Sequence, residues 1–297
     1  MPDDSERSHA LFEACFLEAE TPEERIEHTR HEAVTGYRVK TIRAGNMLEC
    51  EIYPLWKGGQ GARAQKIKPS REAQANLNHR NARKRIMRLT NANFTEKDLW
   101  ATFGYDDANV PEDPKAAQRD IINYLRRVKR WRKRAGLPPL RYLYVTEWSE
   151  NAKRIHHHVI LSGDMDRDAL EQMWQGGAYP QTRRLRVKED CGLNGLACYL
   201  AKGRSGRGAG EAGEGGGKKL WGYSTNLKQP TVTVADHKLT KRKAERIIAD
   251  ENAVPEIFER FYRGYGFGKV EIKRSAFVAG VYIYVMMHKR EGRGRVR

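Results

Sequence analysis

Residues 154–163, RIHHHVILSG, constrain the fold of this chain more than any other segment. An apolar run of this length that ends in Ser-Gly is typical of a buried β-strand, here with three consecutive histidines. Because side chains alternate along a strand, His156 and His158 share one face and His157 points to the other. Two neighbouring imidazoles without a ligand between them would be costly to bury. The segment therefore predicts a metal site that uses His156 and His158, with His157 as a core residue.

The preceding strand, LRYLYVTEWS at 140–149, carries one acid, Glu147. If the two strands form a hairpin that turns about the middle of SENAK, Glu147 lies opposite His156 on the same face. A slip of one residue would move Glu147 to the other face. Two histidines and one carboxylate leave coordination positions open, which favours a catalytic site over a structural one. We therefore predict Glu147, His156 and His158 as the ligands of a divalent metal.

The segment GLACYLAKG at 195–203 supplies a candidate nucleophile. Tyr199 and Lys202 are three positions apart, so they are neighbours on one helix face. Tyrosine acts as a covalent nucleophile when a metal or a nearby cation activates it. The alternative is a tyrosine ring packed in the core beside an extended lysine.

The formal net charge of +17 indicates a partner with many phosphates. Residues 1–34 hold ten acidic and three basic residues, a net charge of −7 that leaves +24 for the rest. A basic body of this kind attracts nucleic acid and accelerates its binding. The alternative is a basic surface that only keeps the protein in solution.

Two helices, at 71–90 and 113–135, concentrate this charge. The second has an apolar stripe at helical spacing, which includes Ile121, Leu125 and Val128, and seven cations within positions 126–134. We predict that the two helices contact the DNA backbone. The residues expected to do so are Arg83, Lys84, Arg126, Arg127, Arg130, Trp131, Lys133 and Arg134.

Further elements follow from turn residues and periodicity. The predicted helices span 22–34, 166–175, 192–202 and 237–251, and the predicted strands form a hairpin over 37–53 and lie at 98–105, 183–189 and 276–288. Residues 203–219 contain eight glycines and are expected to form a flexible loop.

Several classes of protein are excluded by what the sequence lacks. We find no apolar run long enough to span a membrane and no secretory signal, so we expect a cytosolic protein without a membrane partner. The four cysteines lack the spacing of a zinc site or a disulfide scaffold. No Walker-type phosphate loop is present, so a separate enzyme would have to unwind DNA.

The strand RIHHHVILSG, followed about forty residues later by YLAK, resembles the HUH endonucleases, specifically the single-tyrosine rolling-circle replication initiators of bacterial plasmids and phages. The segment NANFTEKDLWATFGYDD is similar to their first motif. KKLWGYSTNLKQP is similar to a segment that follows the tyrosine in initiators of the filamentous-phage gene II protein type. The resemblance covers roughly residues 37–290.

The resemblance implies an α+β fold, the HUH endonuclease fold, in which helices flank a central antiparallel sheet of about five strands. We expect an acidic extension at 1–34 and a nuclease domain at 35–235, which includes the hairpin, the basic helices and the loop 203–219. Residues 236–297 would add a basic helix and a strand packed on that domain.

The resemblance also implies an enzyme that nicks and rejoins single-stranded or hairpin origin DNA. Glu147, His156 and His158 would hold Mg²⁺ or Mn²⁺, and Tyr199 would attack the phosphate to form a 5′-phosphotyrosine. Lys202 would position the tyrosine or the metal, or neutralise the phosphate. The partners would be a helicase and a polymerase in the cytosol of a bacterial host.

The chain departs from the family pattern at His157, where relatives carry a bulky apolar residue, and no second tyrosine lies in the four residues before Tyr199. One alternative is a single-tyrosine HUH transposase, which is usually shorter, or a relaxase, in which the tyrosine precedes the histidines. The other is a non-catalytic, basic nucleic-acid-binding protein in which the histidines are structural.

Overall fold

A computed structural model describes residues 16–18, 22–57, 71–149, 154–188, 192–197, 221–275 and 279–290. The chain divides into two compact units, and the first boundary between them, after residue 81, falls inside a long helix. Unit 1 comprises Met1–Asn81, Glu189–Gly192 and Pro230–Arg297, and unit 2 comprises Ala82–Lys188 and Leu193–Gln229. Each unit contains an antiparallel sheet and helices. The structure therefore confirms the predicted α+β class.

Unit 1 is built on a six-stranded antiparallel sheet in the order β1-β10-β11-β3-β2-β9. Its strands are β1 (Phe16–Glu18), β2 (Val34–Ala44), β3 (Met47–Trp56), β9 (Thr231–Leu239), β10 (Tyr265–Ser275) and β11 (Val281–Lys289), and its helices are α1 (Pro22–Arg30), α5 (Lys241–Ala249) and α6 (Val254–Phe261). Alternate residues of β2, β3 and β11, such as Val39, Ile52 and Ile283, pack with the apolar side chains of α5 and α6. This packing forms the core of unit 1.

The hairpin predicted at 37–53 is confirmed as β2 and β3. Gly45 forms the turn with a φ of 58°, a left-handed conformation that glycine adopts without steric cost. The sequence-based boundaries place this hairpin in a domain at 35–235. In the structure it pairs with β9 and β11 in unit 1, because strands distant in sequence complete its sheet.

Unit 2 is built on a five-stranded antiparallel sheet in the order β7-β4-β6-β5-β8. Its strands are β4 (Leu99–Phe103), β5 (Tyr142–Ser149), β6 (Arg154–Leu161), β7 (Gln181–Arg184) and β8 (Trp221–Tyr223). Its helices are α3 (Pro114–Arg134) and α4 (Arg167–Gln172), together with the part of α2 (Arg71–Asn93) that follows residue 81. This sheet matches the predicted central sheet of about five strands with flanking helices.

Four sequence-based assignments differ from the structure. The predicted helix 237–251 begins only at Lys241, because the residues before it form β9. The final strand is Val281–Lys289, and β10 was not predicted. The strand predicted at 183–189 lies at Gln181–Arg184. Of the predicted helix 192–202, residues 194–197 are helical and residues 192 and 193 form a bridge and a turn, whereas residues 198–202, like the loop 203–219, lie outside the described residues.

Helix α3 confirms the prediction at 113–135 and packs on one face of the unit 2 sheet. Asp113 caps it by accepting a hydrogen bond from the backbone nitrogen of Ala116 at 2.8 Å, and Pro114 occupies its first turn. Ile121, Tyr124, Leu125 and Val128 are buried, along with Leu99, Ala101 and Phe103 of β4. Among the described helices, none is long and apolar enough to cross a membrane.

Arg132 of α3 departs from the expected cationic face. Its side chain is 1% exposed, and its Nε and Nη2 donate to the carbonyl oxygen of Pro138 at 3.0 and 2.8 Å. Its Nη2 also lies 2.8 Å from a carboxylate oxygen of Asp164. Arg132 therefore anchors the segment that leads into β5, and it is not available to DNA.

Replacing Arg132 should destabilise the protein. We expect Arg132→Ala to lower the free energy of unfolding by about 2–4 kcal/mol, because a buried side chain is removed and the carbonyl of Pro138 and the carboxylate of Asp164 lose their donor. The exposed neighbour provides a control, since Lys133→Ala should change it by no more than about 0.5 kcal/mol. Urea denaturation followed by circular dichroism measures both variants, and equal stabilities would contradict the anchoring role.

Candidate metal centre

The hairpin of β5 and β6 sets the geometry of the candidate site. Glu147 pairs directly with His156, in the register predicted from the sequence, and Val145 pairs with His158. Directly paired residues of an antiparallel ladder point to the same side of the sheet. Glu147, His156 and His158 therefore lie on one face, and His157 with its partner Thr146 lies on the other.

The potential ligand atoms of the three side chains lie close enough together to bind one metal ion. A carboxylate oxygen of Glu147 lies 2.6 Å from Nε2 of His156 and 3.6 Å from Nε2 of His158. The ligand atoms of the three residues all lie within 4.8 Å of one another. The two imidazole rings are nearly perpendicular, with centroids 4.8 Å apart. Among the described residues, this set alone brings together three or more potential ligands for a metal.

The neighbouring strand β4 holds His158 in place. Its Nδ1 lies 3.2 Å from the hydroxyl of Thr102, its cross-strand partner. The ring of Trp100 stacks on the imidazole at 4.9 Å with an angle of 25°. A metal-ligating histidine usually bonds through its second nitrogen in this way, which fixes the ring orientation. The donors and this support fit a divalent ion with open coordination positions.

The charge of Glu147 suits the same role. Hydrogen bonds from His156 and His158 lower the pKa of Glu147 to about 2, despite an opposing effect of burial. The carboxylate is therefore ionised at neutral pH. Two nitrogen donors and one anionic oxygen then face a partly open surface, since the side chains of His156 and Glu147 are 34% and 21% exposed.

His157 has a structural environment on the opposite face. Its Nδ1 and Nε2 lie 2.8 Å from the hydroxyls of Thr146 and Tyr105, and the Tyr105 hydroxyl donates to Asp120 of α3 at 3.3 Å. Burial, with a smaller contribution from His156 and His158, lowers the pKa of His157 to about 3. A neutral imidazole offers one donor and one acceptor, so both of its nitrogens are satisfied here. His157 thus links β5 and β6 to Tyr105, the second residue after β4, and through Tyr105 to α3.

Tyr199 and Lys202, the predicted nucleophile and its helper, lie outside the described residues. The turn just before them is held by Asn91 of α2. Its side chain donates to the amide oxygen of Asn194 at 2.8 Å and accepts from the backbone nitrogen of Leu193 at 3.1 Å. Asn93 similarly exchanges two hydrogen bonds with the backbone of Lys228 at 2.7 and 2.9 Å.

The predicted DNA-binding residues of the two helices differ in exposure. Arg126, Arg130, Lys133 and Arg134 are exposed on α3, whereas Arg83 is exposed and Lys84 half-buried on α2. Arg127 is half-buried and donates to the carbonyl of Met173 at 3.1 Å. Trp131 is half-buried and packs against the core of unit 2. The exposed cations therefore form the outer surface of α3, whereas Arg127 and Trp131 also make contacts inside unit 2.

Sequence reasoning missed the residues that support the site. Trp100 and Thr102 lie on β4, whose alternation could have revealed that they share a face, but its register with β6 was needed to place them beside His158. Tyr105 carried no distinguishing pattern. The two asparagines in NAN, Asn91 and Asn93, gave a weak signal, because asparagine is unfavourable inside a helix unless its side chain is used.

Comparison with known proteins adds one match. Residues 98–204 match the family model of the replication-associated protein ORF2/G2P. The matched region begins just before β4 and contains Glu147, His156 and His158, as well as Tyr199 and Lys202. No curated protein and no solved structure matches the chain. The match supports a replication-associated protein.

The two faces of β6 should respond differently to substitution. His156→Ala should weaken Mn²⁺ binding by at least about tenfold, because a ligand is lost, with little change in stability. His157→Ala should leave the affinity within about threefold and lower the free energy of unfolding by about 2–4 kcal/mol, because a buried imidazole and its hydrogen bonds to Thr146 and Tyr105 are lost. Titration calorimetry and urea denaturation separate the two effects. Equal losses of Mn²⁺ affinity in both variants would contradict the assignment of faces.

Proposed function

We propose that this protein is a single-tyrosine HUH endonuclease that initiates rolling-circle replication of a plasmid or phage. The observation that carries the proposal is the cluster of Glu147, His156 and His158 inside the region that matches a replication-associated family. The enzyme would cut one DNA strand at an origin and later rejoin it in the bacterial cytosol. A host helicase and polymerase would open and copy the DNA.

The proposed reaction is the transfer of a phosphoryl group to tyrosine. The hydroxyl oxygen of Tyr199 attacks phosphorus and loses its proton, the bond from phosphorus to the 3′ oxygen breaks, and the 3′ oxygen takes up a proton. The products are a 5′-phosphotyrosine and a free 3′-hydroxyl that primes synthesis. Because the phosphodiester energy stays in the new ester, rejoining needs no ATP.

The residues of the cluster have distinct tasks in this reaction. Mg²⁺ or Mn²⁺, when bound, polarises the scissile phosphate and stabilises its developing charge. Glu147 provides the anionic ligand, and His156 and His158 provide neutral nitrogen ligands. Thr102 and Trp100 hold the His158 ring in the orientation that points Nε2 at Glu147. Lys202 would neutralise the phosphate or position the tyrosine.

The exposed cations of α3 would bind the phosphates that flank the cut. Arg126, Arg130, Lys133 and Arg134 all lie on its outer surface. They are contributed by the helix whose inner surface packs on the catalytic sheet. Contacts of this type supply affinity without reading the base sequence.

Adduct formation tests the mechanism directly. A pool of random single-stranded DNA labelled at its 3′ ends, incubated with Mn²⁺, should yield a labelled protein band that survives SDS, because the 3′ fragment stays bound through its 5′ phosphate. Tyr199→Phe should abolish the band, and Tyr179→Phe, which alters an exposed tyrosine of unit 2, should not. If wild type forms no adduct, or Tyr199→Phe forms as much as wild type, the mechanism is wrong. DNA binding without any adduct would instead favour a non-catalytic protein.

The phosphate contacts of α3 should appear in the salt dependence of binding. Arg130→Ala and Lys133→Ala should each reduce the slope of log affinity against log salt by about 0.7 for single-stranded DNA, since each removes one phosphate contact. Fluorescence anisotropy over a series of KCl concentrations measures the slope. Arg186→Ala, which removes an exposed cation elsewhere in unit 2, serves as a control. Equal slopes in all four proteins would place the DNA elsewhere.

A further inference from the structure

Unit 2 has a cleft at the β8 edge of its sheet, which we name the edge cleft. Its cavity volume is about 550 Å³. The described lining residues offer three aromatic side chains, two of them with phenolic hydroxyls, together with one ammonium, one amide and one aliphatic hydroxyl, and none of them carries a carboxylate. The lining residues are Lys115, Gln118, Tyr144, Trp221, Gly222, Tyr223 and Thr225.

The floor of the edge cleft is fixed by a close contact between two strands. Tyr144 of β5 pairs with Gly222 of β8, and its ring lies against the glycine. A Cβ atom at Gly222 would lie 2.8 Å from Cε1 of Tyr144, closer than real Cβ contacts allow. The Tyr144 hydroxyl also accepts a hydrogen bond from the Gln118 amide of α3 at 3.3 Å. The glycine thus permits a flat aromatic floor, and α3 holds that floor in place.

The same cleft reaches around the sheet edge to the face of the metal centre. Trp221 pairs with Val145, so it points to the side that also carries Glu147. Val145 and Glu147 are two residues apart on β5, which corresponds to about 7 Å along a strand. The rings of Trp221 and Tyr223 are nearly parallel at 5.7 Å, and Arg85 donates to the Tyr223 hydroxyl at 2.7 Å. The cleft therefore adjoins the candidate metal centre along β5.

In the other direction the aromatic surface continues toward the cations of α3. The Tyr142 ring lies 6.4 Å from the Tyr144 ring at an angle of 28°, and Nζ of Lys129 lies 4.9 Å from the centre of the Tyr142 ring. Aromatic rings alternating with cations are the surface that proteins use to bind single-stranded nucleic acid without a strict sequence requirement. The arrangement connects the exposed face of α3 to the edge cleft.

We propose that the edge cleft binds one unpaired nucleotide of single-stranded DNA beside the nucleotide that is cut. The base contacts the ring of Tyr144, Gln118 and Thr225 bond to its edge, and Lys115 pairs with its phosphate. A base in a duplex is stacked on both sides, so only an unpaired base can offer a face to the floor. This assignment deepens the proposed function and rests on it, because it names the residues that would hold the strand beside the cut.

Binding in EDTA tests the proposal apart from cleavage. A fluorescent oligothymidylate should bind Lys115→Ala/Gln118→Ala about tenfold more weakly than wild type, because one phosphate contact and the support of one base are lost. Lys97→Ala, which removes an exposed lysine in the turn before β4, should bind within about twofold of wild type. A duplex of equal length should be much less affected by the double variant. An unchanged affinity for oligothymidylate, or an equal loss for duplex, would overturn the assignment.

Photo-crosslinking locates the base independently of affinity. Oligonucleotides that carry one 5-iodouracil should crosslink to the peptide with Tyr144 or to that with Trp221–Tyr223, and mass spectrometry of the digest identifies it. Crosslinks confined to other peptides would overturn the proposal. If wild type forms the Tyr199 adduct but the edge-cleft variant binds normally, only this inference fails. If the variant loses binding and wild type forms no adduct, the cleft stands and the proposed nicking function fails.

Discussion

The pairing of Glu147 with His156 in the β5–β6 ladder is the constraint on which the rest of unit 2 depends. This register places one carboxylate and two imidazoles on the same side of the sheet and sends the middle histidine to the other side. A slip of one residue would bury His156 and His158 under α3 and expose His157 to solvent. The environment of His157 opposes that slip, because its two nitrogens meet hydroxyls only in the observed register. A buried polar group that is satisfied in one alignment alone specifies that alignment.

Helix α3 has three roles: it packs in the core, it anchors the segment that leads into β5, and it carries exposed cations. In the sequence these roles are not distinguished, because the helix is one run of apolar and basic residues. Its inner side forms the core with Ile121, Tyr124 and Leu125. Its last turn uses Arg132 to hold the carbonyl of Pro138, at the entrance to β5. Only the remaining outer cations are left to meet DNA. The position of the outer charges is therefore coupled to the strand that carries Glu147, since the same helix fixes both.

Local patterns predicted much of this architecture, and long-range pairing explains most of what they missed. The β2–β3 hairpin and the β5–β6 pair were predictable because the partners are close in sequence and the alternation is strong. The candidate ligands followed from that alternation and one assumed register. Strand β10 was missed because glycines interrupt its alternation in YGFGKVEIKRS, and because its edge is completed by β1, far away in the sequence. The start of helix 237–251 was wrong because residues 237–239 form the end of β9, which pairs with β2.

Arg132 shows a different limit of sequence reasoning. In a run of seven cations, nothing in the residue types distinguishes the one that is buried. The burial of Arg132 depends on how the helix is rotated relative to the sheet. It also depends on the carbonyl of Pro138 and the carboxylate of Asp164, which lie 6 and 32 residues away in the sequence. His157 illustrates the same limit, because its partners Thr146 and Tyr105 become visible only once the strands are aligned. The sequence pattern predicts which face of a helix or strand a residue occupies, but its side-chain partners are determined by the tertiary fold.

The candidate metal centre on one face of the unit 2 sheet and the cationic helix on the other suit the cutting and rejoining reaction of the proposed function. In the proposed function, a strand cut at the metal centre has to be rejoined, so a 3′ end must be brought back beside the phosphotyrosine after synthesis. Holding both reactants on one scaffold replaces a bimolecular encounter with an intramolecular step, which is worth several kcal/mol. In this proposal, cations on α3 and an aromatic cleft at the β8 edge would hold the strand by groups that the chemistry does not consume. Because β5 carries both Tyr144 of the cleft and Glu147 of the candidate metal centre, the same element would fix the position of the bound strand and the position of the cut.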